Sequence, residues 1–226
     1  MVKDKTREPQ YQRSITLQKK KGVTPLGAVV NLVWHDDPRH LLFMMARYKF
    51  IAKMLSGKKR VLEVGCGDAF CSRIVLQEVG ELVAIDFDPI FVQDAQQRME
   101  KEWEFECTVH DIIKAPVKGT FDAAFSIDVL EHIPKRKEKK FMEHIVRSLS
   151  RDGALIVGIP SRQSQAYASV RSRKGHVNCK DHAQLKSLMS AYFRNVFIFS
   201  MNDEVVHTGF YPMAQYFFAL CVGRKR

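Results

Sequence analysis

Between residues 60 and 160, short apolar runs alternate with helical patterns, and this alternation restricts the chain to a narrow set of folds. The apolar runs are RVLEV (60–64), LVAID (82–86), FECTV (105–109), FDAAFSI (121–127) and GALIVGIP (153–160). Helices are predicted from about Ala69 to Gln77, from Pro89 to Met99, and over KEKKFMEHIVRSLS (137–150). In the last, Phe141, Met142, Ile145, Val146 and Leu149 fall on one face. Strands alternating with helices pack as a parallel sheet covered on both faces. Right-handed crossovers then make the fold α/β and doubly wound. Ligands of such sheets bind at the carboxyl ends of the strands, where the strand order reverses.

The flanks are organised differently. Residues 1–37 show no sustained period and are expected to form an arm or lid. A helix is predicted from Pro38, because Leu41, Met44, Met45, Tyr48, Ile51 and Leu55 recur at three- and four-residue spacing. Gly57 ends it. The chain therefore divides into 1–57, an arm with one helix, and 58–226, the sheet domain. Residues 161–180 are polar and read as a long loop of the functional kind. Asp181 caps a helix running to Tyr192, and NVFIFS (195–200) and QYFFALCVG (215–223) are two closing strands around a loop at 201–214.

Composition narrows the setting. No apolar run approaches the ~18–20 residues that span a bilayer, and MVKDKTREPQYQRS lacks a signal-peptide core. Cys66, Cys71, Cys107, Cys179 and Cys221 are odd in number and form no C-x-x-C pair, which disfavours a disulfide framework or a zinc site. A soluble protein of the reducing cytoplasm is expected. The net charge is +11, with basic clusters at 18–22, 135–140, 171–174 and 223–226. These clusters are either solvated faces or an attraction to an anionic partner.

The stretch that carries chemistry is VLEVGCGDAF (61–70). A Walker loop needs G-x-x-x-x-G-K-[ST], which is absent. A dinucleotide loop needs a third glycine for close helix–strand packing, and Phe70 stands there. Glu63 and Asp68 would repel a pyrophosphate but suit a ligand carrying an ammonium and a sulfonium. S-adenosylmethionine has both. Asp86, 21 residues after Gly65, ends the second strand where a carboxylate accepts ribose hydroxyls. Asp111 in HDII (110–113) is placed to accept from an adenine amino group. FDAAFSIDVLEHIP (121–134) ends a strand in an acidic, histidine-containing turn.

Taken in order, these four segments resemble the four motifs of the class I S-adenosylmethionine-dependent methyltransferases. The wording DVLEHI is most similar to the small-molecule branch that includes ubiquinone-biosynthesis O-methyltransferases. The resemblance covers roughly residues 60–160. It implies a mostly parallel seven-stranded sheet with the last strand antiparallel. It also implies S-adenosylmethionine as cofactor, with Gly65 and Gly67 letting the backbone approach its methionine end. Glu63 would orient the ammonium and Asp86 hold the ribose. Asp111 and Ile112 would meet the adenine, and Ile127 and Asp128 would wall the site.

The acceptor is less constrained. A hydroxyl or amine acceptor calls for a general base, and His132, just past the fourth strand, leads. Glu131 could share that role or bind a divalent ion, but no metal ligand set is assigned, since the histidines offer only the loose His176/His182 pair. His176 and His207 are the further catalytic candidates, because both lie in loops expected to overhang the strand ends. Trp34, His35, Asp36, Asp37 and Tyr211 are weaker ones. The favoured acceptor is a small, anionic molecule such as a sugar, a nucleotide-linked sugar or a secondary-metabolite intermediate. The alternative is RNA, and a non-catalytic scaffold and a nicotinamide dehydrogenase stand behind it.

Overall fold

In the computed structural model, which describes residues 5–225, the chain builds one sheet with helices on both faces. A 3-10 turn at Pro9–Tyr11 leads into α1 (Gln12–Lys21), α2 (Ala28–Asp36) and α3 (Pro38–Met54). Then come β1 (Arg60–Val64), α4 (Ser72–Leu76), β2 (Glu81–Asp86), α5 (Pro89–Arg98), β3 (Glu106–Val109) and β4 (Phe121–Ile127). A 3-10 turn at Leu130–His132 precedes α6 (Lys135–Ser148) and β5 (Leu149–Pro160). The chain finishes with α7 (Val170–Gly175), α8 (His182–Ser190), β6 (Phe193–Asn202), β7 (Val205–His207) and β8 (Tyr216–Arg224).

The strand order is β3-β2-β1-β4-β5-β8-β6-β7. The first five strands pair in parallel, and β8 is antiparallel to both β5 and β6. Order reverses between β1 and β4, so the ends of these two strands flank the crevice where such sheets bind ligands. The sheet has eight strands rather than the expected seven. The extra one, β7, is a three-residue edge strand that folds back on β6 through a tight turn, with Asp203 left-handed at φ 51°. The short polar turn within 201–214 hid it.

Two apolar layers hold the sheet. On one face Phe141, Met142 and Ile145 of α6 pack with Leu62, Ala124, Leu155 and Phe217. On the other, Tyr48, Ile51, Ala52 and Leu55 of α3 pack with Val61, Phe125, Ile156 and Phe218. The α3 stripe read from spacing is thus the face that meets the sheet. Asp37 caps this helix by accepting from the Arg39 N–H, and Pro38 sits at the first helical position, where its missing N–H costs nothing.

Both flanks hold short elements that the sequence pattern did not mark. Residues 1–37 contain α1 and α2, short helices whose weak periodicity reflects the little surface they bury: only Val30 is buried in α2 and no residue in α1. The 161–180 segment is broken by a 3-10 turn at Gln163–Ala166 and by α7, which Ser169 caps.

Candidate functional site

At the end of β1 the chain turns through Gly65 (φ 79°), Gly67 (φ 53°) and Ala69 (φ 52°). The N–H groups of Gly65 and Cys66 donate to the Ile85 carbonyl at 2.8 and 3.1 Å, which ties the turn to β2. A Cβ on Gly65 would fall 2.3 Å from Val129 Cγ2, so the residue after Asp128 rests directly on this glycine. Asp86 holds the turn from below: one oxygen accepts from the Gly67 N–H and the other from the Asp88 N–H, both at 2.9 Å. Each carboxylate oxygen keeps a further lone pair for a ligand hydroxyl.

Glu63 lies just before the turn and is buried. Its Oε1 accepts from the Tyr48 hydroxyl at 2.7 Å, and the Ser72 hydroxyl also favours its charged form. Burial pushes its pKa up to about 7. A buried carboxylate favours a cation or donor beside it. The ammonium of S-adenosylmethionine fits that donor set, and the glycine cradle leaves room for backbone approach. Asp68 is tied both to α2 and to its own turn. Its oxygens accept from the Val30 N–H at 2.9 Å and the Phe70 N–H at 3.1 Å, and Gly27 packs against it. Asp68 therefore anchors the start of α2 over the glycine turn, a role its place in the sequence did not announce.

Asp111 follows β3, beside Asp86: the His110 N–H donates to the Asp86 carbonyl at 2.8 Å. Its Oδ1 accepts from the Ile113 N–H at 2.9 Å, so it also caps its own turn. The Ile112 side chain is packed in the core, and any ligand contact there would come from its backbone.

Across β4, Ile127 is buried and Asp128 is left-handed at φ 57°. Asp128 is held by Arg47 of α3, whose Nη1 donates to Oδ2 at 2.7 Å. The Arg47 guanidinium lies 4.0 Å over the Tyr216 ring. Glu131 is buried, and burial and the neighbouring Asp128 hold its carboxyl well above the usual range.

His132 and His176 meet here, with ring centroids 5.1 Å apart. His132 Nδ1 donates to the Gly175 carbonyl at 3.0 Å, and His176 Nδ1 to Gln165 Oε1 at 2.8 Å. Each bond leaves Nε2 as the free lone pair of the neutral ring. Burial and nearby His132 hold His176 below the usual histidine pKa. Glu131, His132 and His176 offer three ligand atoms within 4.8 Å of one another, enough to hold a divalent ion with open positions. The pair suggested by sequence was His176 with His182. His182 instead stacks on Tyr211 at 4.3 Å. His207 lies in the β7 hairpin, where Nε2 donates to Asn202 Oδ1 at 2.8 Å and Nδ1 accepts from the Gly209 N–H at 2.9 Å. Both of its ring nitrogens are engaged, and it is not gathered with the other two.

Sequence reasoning missed Arg47 and Tyr216. A signal existed for each. Arg47 interrupts the apolar stripe of α3, and Gly158 in β5 makes room for a neighbour. A Cβ on Gly158 would come 2.6 Å from the Tyr216 hydroxyl.

Comparison with known proteins agrees with this geometry. A family model described as "Methyltransferase domain" matches residues 61–153. A ubiquinone biosynthesis O-methyltransferase of Xanthomonas oryzae pv. oryzae (strain PXO99A) is 27% identical over 149 residues, covering 63% of this chain and 62% of the relative. One from Xanthomonas campestris pv. campestris (strain B100) is 29% identical over 115 residues, covering 48% of each chain. The chain thus spans under two thirds of the length of these curated relatives. Among solved structures, the N-methyltransferase NodS from Bradyrhizobium japonicum WM9, in complex with S-adenosyl-L-homocysteine, superposes with TM-score 0.61 at 18% identity, covering 84% of this chain and 90% of that one. The methyltransferase domain of bacterial CtHen1 gives TM-score 0.65 at 14% identity, covering 80% and 99%. Residues 61–153 are thus similar to a methyltransferase domain, and the sheet has the fold of these solved structures.

Proposed function

We propose that the protein moves a methyl group from S-adenosylmethionine to a hydroxyl or amine of a small, anionic molecule, in the class of sugars, nucleotide-linked sugars or secondary-metabolite intermediates. One observation carries this reading. The end of β1 holds the buried Glu63 carboxylate, and past the end of β4, the neighbouring strand, two imidazoles keep open Nε2 atoms. S-adenosylmethionine, when bound, supplies a methyl on a sulfonium, which departs as a neutral thioether while the acceptor atom bonds to the methyl carbon.

The chain's own groups do the rest. Glu63 attracts the ammonium, Asp86 holds the ribose, Asp111 and the Ile112 backbone meet the adenine, and Ile127 and Asp128 wall the crevice. Gly65 and Gly67 let the backbone come close. His176, kept neutral by burial, takes the proton the acceptor loses, and His132 is the second candidate. His207 supports its hairpin. Residues 1–57 serve as a lid and packing helix on a catalytic domain of 58–226, consistent with α2 resting on Asp68.

Positive charge near the histidines supports an anionic acceptor. Arg171, Arg173 and Lys174 are exposed on α7, whose Gly175 carbonyl meets His132, and Lys135 and Arg136 are exposed at the start of α6. The names of the Xanthomonas relatives favour a hydroxyl, and that of NodS keeps an amine in view. Five free cysteines suit a cytoplasmic setting, and no helix among the described residues is long and apolar enough to cross a membrane. The test is transfer of label from methyl-labelled cofactor to a panel of phenols, sugars, nucleotide sugars and amines, with RNA as a separate arm. Turnover on RNA alone rejects the small-molecule reading.

A second reading gives Glu131, His132 and His176 to a divalent ion, on the strength of their close ligand atoms. Dialysis against a chelator separates the two. Activity that survives leaves His176 as base. Activity that is lost and restored by a divalent ion assigns the trio to the ion.

A further inference from the structure

A cleft of about 560 Å³ opens between the start of α6 and α8. It is lined by Lys135 and Glu138 of α6, by Arg162 just past β5, by Asn178 and Lys180, and by Ser187 of α8. Volumes of this order are those of small-molecule sites. Glu131, His132 and His176 do not line it, so it is separate from the histidine cluster. The two share one wall: the Asn178 N–H donates to the Glu131 carbonyl at 2.9 Å, and the Lys180 carbonyl accepts from the Arg162 N–H at 2.8 Å.

The cleft gathers cations around one carboxylate. Glu138 is buried, and its two oxygens take Lys135 Nζ and Lys180 Nζ, each at 2.5 Å. Asn178 braces the group: its Nδ2 donates to Glu138 Oε2 at 2.8 Å, and its Oδ1 accepts from Lys180 at 2.5 Å. Counting the Arg162–Asp181 pair at 3.2 Å, three cations meet two carboxylates. Burial, with Lys135 beside it, holds Lys180 below the usual lysine pKa. A buried cation short of negative charge is costly, and an anion would relieve that cost. Donors remain as well. An ammonium has three hydrogens; Lys180 gives one each to Glu138 and Asn178, and Lys135 gives one to Glu138. The Lys135 and Arg162 side chains keep 73% and 60% of their exposure, so a ligand reaches them from solvent. The first turn of α6 adds to the imbalance: it sets Lys135, Arg136 and Lys137 against Glu138, and Pro134 supplies no side-chain cap. A helix N-terminus favours negative charge instead.

We infer that this cleft is a second small-molecule site, for a ligand carrying a phosphate or carboxylate group held by Lys135, Lys180 and Arg162. It is independent of the methyltransferase reading, and either can fail without the other.

The probe is ribose 5-phosphate, titrated by calorimetry into full-length protein at low salt, with ribose as the neutral counterpart. Saturable binding of the phosphate is expected, and none of ribose. Malonate that competes extends the ligand class to carboxylates; malonate without effect confines it to phosphates. Lys135→Gln and Arg162→Gln change exposed side chains, and each should weaken binding about tenfold. Lys139→Gln, an exposed charge on the same helix outside the cleft, should bind as the wild type does, and so should His176→Ala. No binding by wild type, equal binding of ribose, or equal weakening in Lys139→Gln would overturn the inference and leave the lysines as a solvated basic face. Loss in His176→Ala would move the phosphate to the acceptor side and overturn it as well.

Discussion

On the β1–β2 side of the crevice, the groups assigned to the methionine and ribose ends of the methyl donor come from one stretch, Glu63 to Asp86. On the β4–β5 side, the groups gathered past β4 come from Arg47, Asp128 to His132, His176 and Tyr216. The first side is braced by its own backbone, with the Gly65, Cys66 and Gly67 N–H groups all bonded to β2 residues. The second is braced by side chains from distant segments. A loop wired to its neighbouring strand is a fixed receptor for a constant ligand. A cluster assembled from separate elements can change its ligand by changing any one of them.

Variants on the acceptor side should break turnover without touching donor binding. His176→Ala is expected to reduce turnover by about 10²–10⁴-fold on whichever panel compound is methylated, the usual worth of a general base. Its affinity for S-adenosyl-L-homocysteine should be unchanged by calorimetry. Parallel loss of both would merge the two sides into one.

Gly65→Ala tests how rigid the donor side is. It forces a side chain into φ 79° and against Val129. Strain and overpacking together should cost about 3–4 kcal/mol in urea unfolding. Gly57→Ala has a similar φ of 80° but open space around it, and should cost only about 1 kcal/mol. Equal losses would mean that contact with Val129 does not matter.

Glu63 gives the donor side a pH signature. Its folded pKa of about 7 lies above the ordinary glutamate value of 4.5, so the folded protein holds this proton more tightly than the unfolded chain. The resulting stabilisation of the ligand-free protein is fully present below pH 4.5 and is lost as pH rises towards 7, on the order of 3 kcal/mol. Glu63→Gln should remove this contribution to the pH slope in urea titrations. A slope unchanged in the variant would show that the carboxyl is already ionised.

The smallest effect concerns the lid. Asp68→Ala removes the acceptor for the Val30 and Phe70 N–H groups and should cost about 1 kcal/mol, as loss of a helix cap does. Limited proteolysis between α1 and α2 should quicken. Unchanged cleavage would mean that α2 stays docked without it.

The same contrast explains what could be read from the sequence. Local hydrogen bonding and period-2 or period-3.6 burial leave marks within a few residues, so β1, β2, β4, the α3 stripe and the Asp86 position were all legible. Gly65 and Gly67 were legible because a left-handed turn beside a strand demands glycine. Arg47 and Tyr216 were not, because nothing nearby in sequence records that they meet. The anchoring role of Asp68 was hidden for a related reason: its partners, Gly27 and Val30, lie in a segment whose docking has no periodic signature. His132 and His176 were each visible, but their meeting depends on α7 folding back so that the Gly175 carbonyl reaches His132. The β7 strand is too short to leave an alternating pattern.

The central claim, that the β1–β2 turn is a receptor for the methyl donor, is tested most directly by calorimetric titration of S-adenosyl-L-homocysteine into wild type and Asp86→Ala, with NAD as a parallel ligand. Saturable binding to wild type is predicted, at least about 100-fold weaker in Asp86→Ala, which loses bonds to the turn and to the ribose together. NAD should not bind. Equal affinity in the variant, or binding of NAD in place of S-adenosyl-L-homocysteine, would contradict the account.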